Sequence, residues 1–522
     1  MTVTTVSRDA DTLCRDILAS LDAMGGGIAA ANAPSSTPLQ FAVPDASKDR
    51  DVENPRPVDD TMARGETDPL PSRFPVTALA TASIGAAGAA LSSLLSASRT
   101  PGSPLPVSID TRLAALWFGV SISPIDWVLP GAWDAIAGDY RTADGWIRLH
   151  TNAPAHRRAA LDVLQLPDTL PNATSPAAAR NAVQERVAQW HAAALEEDVI
   201  AAGGCAAQML TQAQWTAHPQ GRAVAGESLI QWNDVAVDGG ARGRWHGNSQ
   251  ATAPARPLAG LRVLDLTRIL AGPVATRFLA GFGADVLRID PPDWDEPSLA
   301  PDVTLGKHCA RLNLQRAADR RTFETLLASA DVLIHGYRPG ALEALGYDAS
   351  RHAALCPGLV DVSLSAYGHS GPWAMRRGFD SLVQMSSGIA DAGMRWRNSD
   401  SPYPLPVQAL DHATGYLIAA AALRGLALRQ QHGHGGIATL SLARTAHLLT
   451  GASAPGAAAP YDPAVAKANA RPSDFSRSLE KTQWGSARRL LPPLAIEGAP
   501  MHWSLPARPL GQDAAAWTTV KR

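Results

Sequence analysis

The feature that most constrains the fold of this chain is a strand–helix–strand pattern that begins in the middle of the sequence, at Pro257. Residues 261–266 form an apolar run typical of a buried strand, and residues 274–282 carry apolar side chains at helical spacing. Residues 284–289 return to a strand pattern. This βαβ unit predicts a parallel sheet, and its position halfway along 522 residues indicates a rearranged or fused architecture.

The connection between the first strand and the helix is a turn of small residues, Ala271-Gly272-Pro273. Pro273 is predicted at the first helical position, where its missing N–H costs nothing. Such a turn lets backbone amides approach a ligand, and it lies at the carboxyl end of a parallel strand, where α/β folds bind ligands. The alternative is an ordinary βα turn.

Length and composition predict a soluble protein of two or three domains, since 522 residues exceed one ordinary core. The formal net charge of −2 gives no reason to expect a nucleic acid or an acidic membrane as partner. Four cysteines lack metal-ligand spacing, and with no signal peptide they indicate reduced thiols and a cytoplasmic location: Cys14, Cys205, Cys309 and Cys356. His432-Gly433-His434 has no companion carboxylate or cysteine cluster, so no metal site is predicted.

One uncharged stretch, residues 76–98, is long enough to span a bilayer. It consists mostly of Ala, Gly, Ser and Thr, whose transfer into lipid is weakly favourable compared with Leu or Ile. We therefore expect a packed internal helix and no membrane span.

The same stretch has a counterpart in the second half of the chain, because residues 80–99 align with residues 412–431. Each of these predicted helices is followed by a glycine-containing turn, a strand and a second helix. The shared order indicates an internal repeat. The strands are predicted at 106–109 and 435–440, and the second helices at 111–118 and 443–449.

Residues 257–450 resemble the class III CoA-transferases, the family of formyl-CoA transferases, carnitine CoA-transferases and α-methylacyl-CoA racemases. The resemblance rests on many pieces in one order: LDLTRILAGP at 264–273, GADVLRI at 283–289, Lys307, LNL at 312–314, ADVLI at 330–334, YRPG at 337–340, LGY at 345–347, GFD at 378–380 and DHATG at 411–415. In the first half, DYRTADGW at 139–146 and the helical residues 177–201, followed by WTAHPQ at 215–220, resemble the small domain of the same family.

The resemblance implies an α/β fold, with a Rossmann-like large domain on a parallel sheet and a smaller α+β domain, arranged as a tandem-fused pseudo-dimer. We expect an N-terminal helix and extended linker at residues 1–75, a degenerate first repeat with the small domain at 76–235, and an interdomain linker at 236–256. A CoA-binding second repeat is expected at 257–450, followed by a C-terminal linker and segment at 451–522. Within the first, residues 11–23 are predicted as a short amphipathic helix. Since relatives are interlocked homodimers, the fused chain is expected as a monomeric pseudo-dimer or a homodimer.

Asp411 matches the residue that acts as nucleophile in the family, at the start of the long helix. The helix N-terminus is expected to stabilise its anionic form. Taken alone, an Asp before a helix is more often an N-cap. The resemblance and the intact Thr414-Gly415 favour the nucleophile. The first repeat has Ala78 or Leu79 at this place, so a single nucleophile is predicted.

Gly378-Phe379-Asp380 distinguishes branches of the family. Racemases have a histidine where Phe379 stands, and phenylalanine cannot transfer a proton, so racemisation is disfavoured. Asp380 is expected to orient the site or to cap a helix.

By resemblance, CoA-binding residues are expected along one loop and at three other positions: Arg268, Ile269, Leu270, Ala271, Leu312, Tyr337 and Arg377. The family's phosphate-binding residues are replaced by Pro291, Gln315, Gly336 and Ala344, which weakens that part of the site. The predicted function is CoA transfer between an acyl-CoA and a carboxylic acid, with coenzyme A as substrate and no permanently bound cofactor. The alternatives are a catalytically silent CoA-binding or scaffold protein and, third, an acyl-CoA racemase.

Overall fold

The structure is a computed structural model, and it describes residues 8–24, 39–42, 68–97, 104–235, 256–452 and 470–518. Most of the predicted linkers, at residues 43–67, 236–255 and 453–469, lie outside these ranges.

Helices of the described residues range from single turns to the long α2 and α16. Their bounds are α1 Arg8–Ala23, α2 Val76–Ala97, α3 Thr111–Trp117, α4 Pro154–Val163, α5 Leu170–Ala173, α6 Pro176–Val187, α7 Ala192–Ala201, α8 Gln212–Ala217, α9 Pro219–Gly226, α10 Ala271–Gly281, α11 Ala300–Val303, α12 Ala317–Leu327, α13 Ala349–Leu355, α14 Asp380–Ser386, α15 Ile389–Arg397, α16 Ala409–His432 and α17 Leu442–Gly451.

Strands are short, as is usual in a mixed α/β protein. Their bounds are β1 Leu39–Ala42, β2 Val107–Asp110, β3 Ile122–Pro124, β4 Gly138–Arg141, β5 Trp146–Leu149, β6 Ala206–Gln208, β7 Gln231–Val235, β8 Arg262–Leu266, β9 Asp285–Asp290, β10 His308–Arg311, β11 Val332–His335, β12 Val360–Ser365, β13 Gly435–Ser441, β14 Glu480–Thr482, β15 Gly485–Arg489 and β16 Leu494–Ile496.

The largest sheet has seven strands in the order β10-β9-β8-β11-β12-β13-β7. The six strands from the second half are parallel, and β7 from the first half closes the edge in antiparallel orientation. The predicted α/β fold with a parallel sheet is confirmed. Because all six parallel strands end at the same edge, the loops after β8 and β11 meet where the strand order reverses.

The helix after β8 begins earlier than predicted, at Ala271 rather than at Pro273. Leu270 is its N-cap residue, and the Val274 amide makes the first intrahelical bond, 2.8 Å from the Leu270 carbonyl oxygen. Pro273 is therefore the third helical residue, which corrects the predicted first position. It is tolerated because the first four N–H groups of a helix have no intrahelical partner.

The core of the molecule is a pair of long apolar helices, α2 and α16, packed along each other. The apolar segment of α2 from Val76 to Ser96 is 89% buried inside the protein. Its uncharged surface is thus used for packing against α16, as expected for an internal helix.

The helix–strand–helix order of the repeat is present in both halves. Asp110 ends β2 and accepts a hydrogen bond from the Leu113 amide, and Ser441 ends β13 and accepts one from the Arg444 amide. In each repeat the strand lies between a parallel strand of its own half and an antiparallel strand of the other half. β2 lies between β1 and β16, and β13 lies between β12 and β7. The two halves therefore exchange edge strands.

The part of the first half predicted as a small domain contains the sheet β4-β5-β6, with helices packed on one face. Ile147 and Leu149 of β5 point into its own core. Trp146 belongs to a separate apolar cluster with Ala207 of β6 and with Leu382 of α14. The second face of the small sheet therefore packs against the start of α14, in the second half of the chain.

Candidate functional site

The loop after β8, residues 267–270, contacts the loop after β11 at the carboxyl edge of the sheet. The guanidinium carbon of Arg268 lies 5.0 Å from the centre of the Tyr337 ring and 4.8 Å from that of Trp294. Both distances are within the range of a cation–π contact. The structure therefore brings together two of the predicted CoA-binding residues.

Ile269 has an unusual backbone conformation, with a φ of 66°. A β-branched residue in this region is a strained exception. Its amide donates a hydrogen bond of 2.9 Å to the carboxylate of Glu296, which is paired with the buried Arg288. The fully enclosed Glu296–Arg288 pair thus holds the loop in a shape that Ile269 would not adopt by itself.

A second buried network fixes the base of the same loop. Asp265 accepts hydrogen bonds from the hydroxyls of Thr267 and Thr276 and from Nζ of Lys307, 3.1 Å away. Lys307 also donates to the carbonyl oxygen of Pro273 at 2.9 Å. Because Lys307 and Asp265 are both inaccessible to solvent, this ion pair ties the loop and the start of α10 to the sheet.

The helix that carries Asp411 approaches this loop closely. A Cβ atom at Gly415 would lie 2.5 Å from the Ala271 carbonyl oxygen and 2.8 Å from Cβ of Val274. Only glycine allows this approach. Gly415 lies one helical turn after Asp411, so the close contact places the predicted nucleophile next to the predicted CoA-binding loop.

Asp411 is buried in the first turn of α16, where it is the third helical residue rather than the N-cap. The N-cap position belongs to Gln408, which makes no side-chain capping bond. Instead, the Asp380 carboxylate from α14 accepts hydrogen bonds from the amides of Leu410 and Asp411, at 2.9 and 3.0 Å. The expectation that the helix N-terminus serves Asp411 is therefore corrected, because Asp380 occupies those amides.

Burial changes the proton affinity of both carboxyl groups. Burial raises the pKa of Asp380 to about 6, although amide and side-chain hydrogen bonds oppose the increase. Burial and the neighbouring Asp380 charge raise the pKa of Asp411 well above its usual range. The two carboxyl groups thus form a pair in which one charge disfavours the other.

The small domain of the first half covers this pair. The His150 ring stacks on Phe379 with 3.7 Å between ring centres, and burial lowers the pKa of His150 to about 3. Gln220, from the WTAHPQ segment, donates to the carbonyl oxygens of Tyr367 and Ser370 at 2.7 and 2.8 Å. Two separate parts of the first half therefore hold the loops around Asp380.

Two predicted CoA-binding residues lie apart from the Arg268 loop contacts. Leu312 is buried in a separate apolar cluster, and its amide donates to the Asp290 carbonyl oxygen at 3.0 Å. Arg377 is exposed and donates to the carbonyl oxygen of Gly203 in the small domain, at 3.0 Å. Of the remaining two, Leu270 caps α10 and Ala271 faces Gly415.

Sequence reasoning missed three residues of the site, which are Glu296, Trp294 and His150. Glu296 accepts a hydrogen bond from the amide of Ile269, 27 positions earlier in the sequence. His150 lies in the first half of the chain, whereas Phe379, on which it stacks, lies in the second. Local periodicity carries no signal for such contacts. The sequence signal that could have pointed to Glu296 is its position as an acidic residue in an otherwise irregular stretch after β9.

The other titratable clusters of the described residues offer no metal centre. The four cysteines are buried and form no disulfide among the described residues, and burial raises the pKa of Cys14, Cys205 and Cys309 to about 12. These thiols are therefore poor nucleophiles. His432 and His434 stack on each other 5.7 Å apart at the end of α16, far along the helix from Asp411.

Comparison with known proteins matches residues 258–482 to the model of CoA-transferase family III. An acetyl-coenzyme A transferase of Hypoxylon pulicicidum is 34% identical over 193 residues, which are 35% of this chain and 32% of the relative. A human succinyl-CoA:glutarate CoA-transferase is 30% identical over 211 residues, 38% of this chain and 48% of the relative. The beta subunit of a succinyl-CoA–L-malate CoA-transferase of Chloroflexus aurantiacus is 32% identical over 198 residues, 35% of this chain and 48% of the relative.

Among solved structures, a CaiB/BaiF family protein from Brucella suis is 28% identical, with a TM-score of 0.34. The match covers 37% of this chain and 55% of that protein. The chain thus spans about a third to a half of the length of these relatives.

Proposed function

We propose that the chain, whose residues 258–482 match the model of CoA-transferase family III, transfers coenzyme A between an acyl-CoA and a carboxylic acid, with Asp411 as nucleophile. The observation that carries the proposal is the position of the Asp411 carboxyl group. It is buried in the first turn of α16, beside Asp380, on the helix that packs against the loop at 268–271.

In the proposed reaction an oxygen of ionised Asp411 attacks the thioester carbonyl of the acyl-CoA. The C–S bond breaks, CoA leaves as a thiolate, and an acyl-aspartyl anhydride remains. The thiolate then attacks the aspartyl carbonyl, which releases the first acid as a carboxylate and leaves an aspartyl-CoA thioester. The second acid reverses both steps, and Asp411 is regenerated as a carboxylate.

Burial suits this chemistry because both covalent intermediates are sensitive to hydrolysis. The small domain packs on Phe379 and on the loop at 367–373, so the first half of the chain limits the access of water to Asp411. A tandem-fused chain that supplies its own cover over one site would need no second subunit for this purpose.

Racemisation is disfavoured by the same geometry. Phe379 has no titratable group, and the histidine that stacks on it, His150, has a pKa lowered by burial to about 3. Removal of an α-proton requires a general base whose pKa is close to the working pH. His150 is too weak a base for that role.

Trapping of the covalent intermediate tests the proposal. The protein is incubated with acetyl-CoA or succinyl-CoA and then treated with hydroxylamine or borohydride, and the modified peptide is identified by mass spectrometry. Modification at Asp411 is the expected result, together with a loss of CoA transfer of at least about 1,000-fold in Asp411→Asn. Asp391→Asn is a matched control, since Asp391 is also buried but is paired with Arg395 on α15.

Retained turnover in Asp411→Asn would overturn the assignment. Binding of CoA with neither turnover nor trapping would instead support the silent CoA-binding alternative.

A further inference from the structure

An open cleft lies between the two halves of the chain. Its volume is about 580 Å³, which is within the range of roughly 300–1,000 Å³ that small-molecule sites occupy. The first half contributes Arg73 and residues 211–213 at the start of α8, and the second half contributes one face of α15. The cleft shares no lining residue with the loop at 268–271 or with the Asp380–Asp411 pair.

Arg73 brings an uncompensated positive charge to this cleft. No hydrogen bond or ion pair joins its guanidinium to another of the described residues, and Nη1 is buried without an acceptor. The guanidinium carbon lies 5.7 Å from the centre of the neighbouring Phe74 ring, a contact that uses none of the N–H donors. Because a buried donor without an acceptor is costly, the planar fork of Arg73 is suited to an anionic group that enters the cleft.

The other two charged residues of the lining neutralise each other. Arg395 donates from Nε and Nη2 to one carboxylate oxygen of Asp391, one turn earlier on α15, at 3.2 and 3.1 Å. The lining therefore carries two positive charges and one negative charge, and the net positive charge that remains is that of Arg73. A ligand with a single negative charge would balance it.

Trp396 adds an aromatic residue to the same lining. It lies one turn after Ala392 on α15, and both residues line the cleft. The Trp396 ring is tilted by 40° against the Tyr403 ring, with 6.3 Å between the ring centres. An indole ring offers a large apolar surface for a planar group of a ligand. The cleft thus combines one unpaired cation with one aromatic residue.

We propose that the cleft between Arg73 and Trp396 binds an organic monoanion that carries a planar ring. The carboxylate or sulfonate group of this ligand pairs with Arg73, and its ring packs against Trp396. The ligand is held by residues of both halves and is not the acid that receives CoA. This inference is independent of the proposed function, because the cleft and the proposed transfer site have no lining residue in common.

Calorimetric titration of the full chain with 2-naphthalenesulfonate tests the inference. A sulfonate cannot form a thioester with CoA, so this probe is not a transfer substrate. Arg73→Met should weaken its binding about 10–100-fold, as the loss of charge-assisted hydrogen bonds implies. Arg73→Lys, which keeps the charge but lacks the fork, should lie between. Arg158→Met is the matched control, since Arg158 is an exposed arginine paired with Asp168, and it should keep the wild-type affinity.

Asp391→Asn should act in the opposite direction. It leaves the Arg395 guanidinium without its carboxylate partner, so a second positive charge becomes available to the probe. We expect binding about 3–10-fold tighter than in the wild type, a modest gain because Arg395 is exposed. Weaker binding in Asp391→Asn, or equal affinities of the wild type and Arg73→Met, would overturn the proposal. No binding of the probe by the wild type would do the same.

Three further probes define the class of ligand. We expect 2-naphthoate to bind like the sulfonate, whereas 2-naphthamide, which lacks the charge, and methanesulfonate, which lacks the ring, should each bind at least about tenfold more weakly. Trp396→Leu should reduce the advantage of 2-naphthalenesulfonate over methanesulfonate. Equal affinities for 2-naphthoate and 2-naphthamide would contradict a site for anions.

Two measurements separate this site from the transfer site and from a folding defect. Saturating CoA should leave the affinity for 2-naphthalenesulfonate unchanged, and displacement of the probe by CoA would overturn the inference. The probe should raise the unfolding midpoint of the wild type more than that of Arg73→Met, while the two proteins without probe should unfold alike. Binding through Arg73 in a protein that transfers no CoA would support the cleft and contradict the proposed function.

Discussion

At the scale of single residues, the Asp411–Asp380 pair determines the chemistry that we propose. The Asp380 carboxylate accepts hydrogen bonds from the amides of Leu410 and Asp411 at the start of α16. These amides are therefore not available to stabilise the anionic form of the Asp411 side chain. Burial and the Asp380 charge raise the pKa of Asp411 instead. A carboxylate with a raised pKa is a better nucleophile when ionised, but it requires a higher pH to lose its proton.

The first prediction concerns the pH dependence of transfer. Because Asp411 must be ionised to attack, kcat/KM should rise with pH on the acidic side and reach a plateau above the pKa of the pair. Asp380→Asn removes the negative neighbour, so the acidic limb should shift to lower pH by about one unit. Rates measured between pH 5 and 9 check this, and an unchanged profile would show that the two groups are uncoupled.

The second prediction concerns stability. A carboxyl group with a raised folded-state pKa binds its proton more tightly in the folded protein, so its contribution is present at low pH and is lost as pH rises through that pKa. Asp411→Asn should therefore stabilise the protein at pH 8, where wild-type Asp411 carries more of its buried charge. The gain should shrink towards pH 5. Thermal or urea unfolding at both pH values measures the difference, and greater stabilisation at pH 5 would contradict the assigned direction.

At the scale of secondary structure elements, the position of the site depends on how closely α16 approaches α10. Gly415 has no side chain where the Ala271 carbonyl passes, while the Asp265–Lys307 pair anchors the start of α10 from below. The glycine and the ion pair thus act on the same junction. Any atom inserted there moves the loop at 268–271 relative to Asp411.

The third prediction is that Gly415→Ala destabilises the protein by about 1–3 kcal/mol through overpacking and lowers transfer activity. Gly451→Ala is the matched control. Gly451 is also a helical residue, the last one of α17, but a Cβ atom added there would have no other atom within 4 Å. The control should gain up to about 1 kcal/mol from helix propensity. Urea unfolding of both variants gives the comparison, and changes of the same sign would refute the close approach.

At the scale of the whole molecule, the two halves are joined by more than the predicted linker. β7 and β16 each complete a sheet of the other half, and α2 packs along α16. A buried ion cluster adds a further connection, in which Asp302 pairs with Arg277 and Arg489 while accepting a hydrogen bond from Ser121. The halves therefore share one core rather than meeting at a surface.

The fourth prediction follows from this shared core. A protease site inserted within residues 236–256 should allow complete cleavage, yet the two fragments should stay associated and elute together from a sizing column. The uncut chain should sediment near its mass of 54.7 kDa, because the cover over Asp411 comes from the same chain. Fragments that separate without denaturant would contradict the shared core.

The local elements were largely predictable, because each depends on neighbours in sequence. The strand patterns around residues 261–266 and 284–289 correspond to β8 and β9, and the uncharged stretch at 76–98 corresponds to the buried α2. The start of α10 was misplaced because the loop residues before Pro273 contain no strong capping signal. The domain boundaries and the role of each site residue remain predictions.

The sequence by itself determined the α/β class and the helix–strand–helix repeat, while the candidate nucleophile follows from the resemblance to the class III CoA-transferases. These properties depend on the spacing of apolar residues and on motifs that lie within a few turns of each other. The tertiary structure alone decided that Asp380 caps the helix of Asp411, that Glu296 holds Ile269, and that His150 of the first half stacks on Phe379 of the second. Each of these contacts joins residues distant in sequence, and their energies depend on burial, which no local pattern encodes.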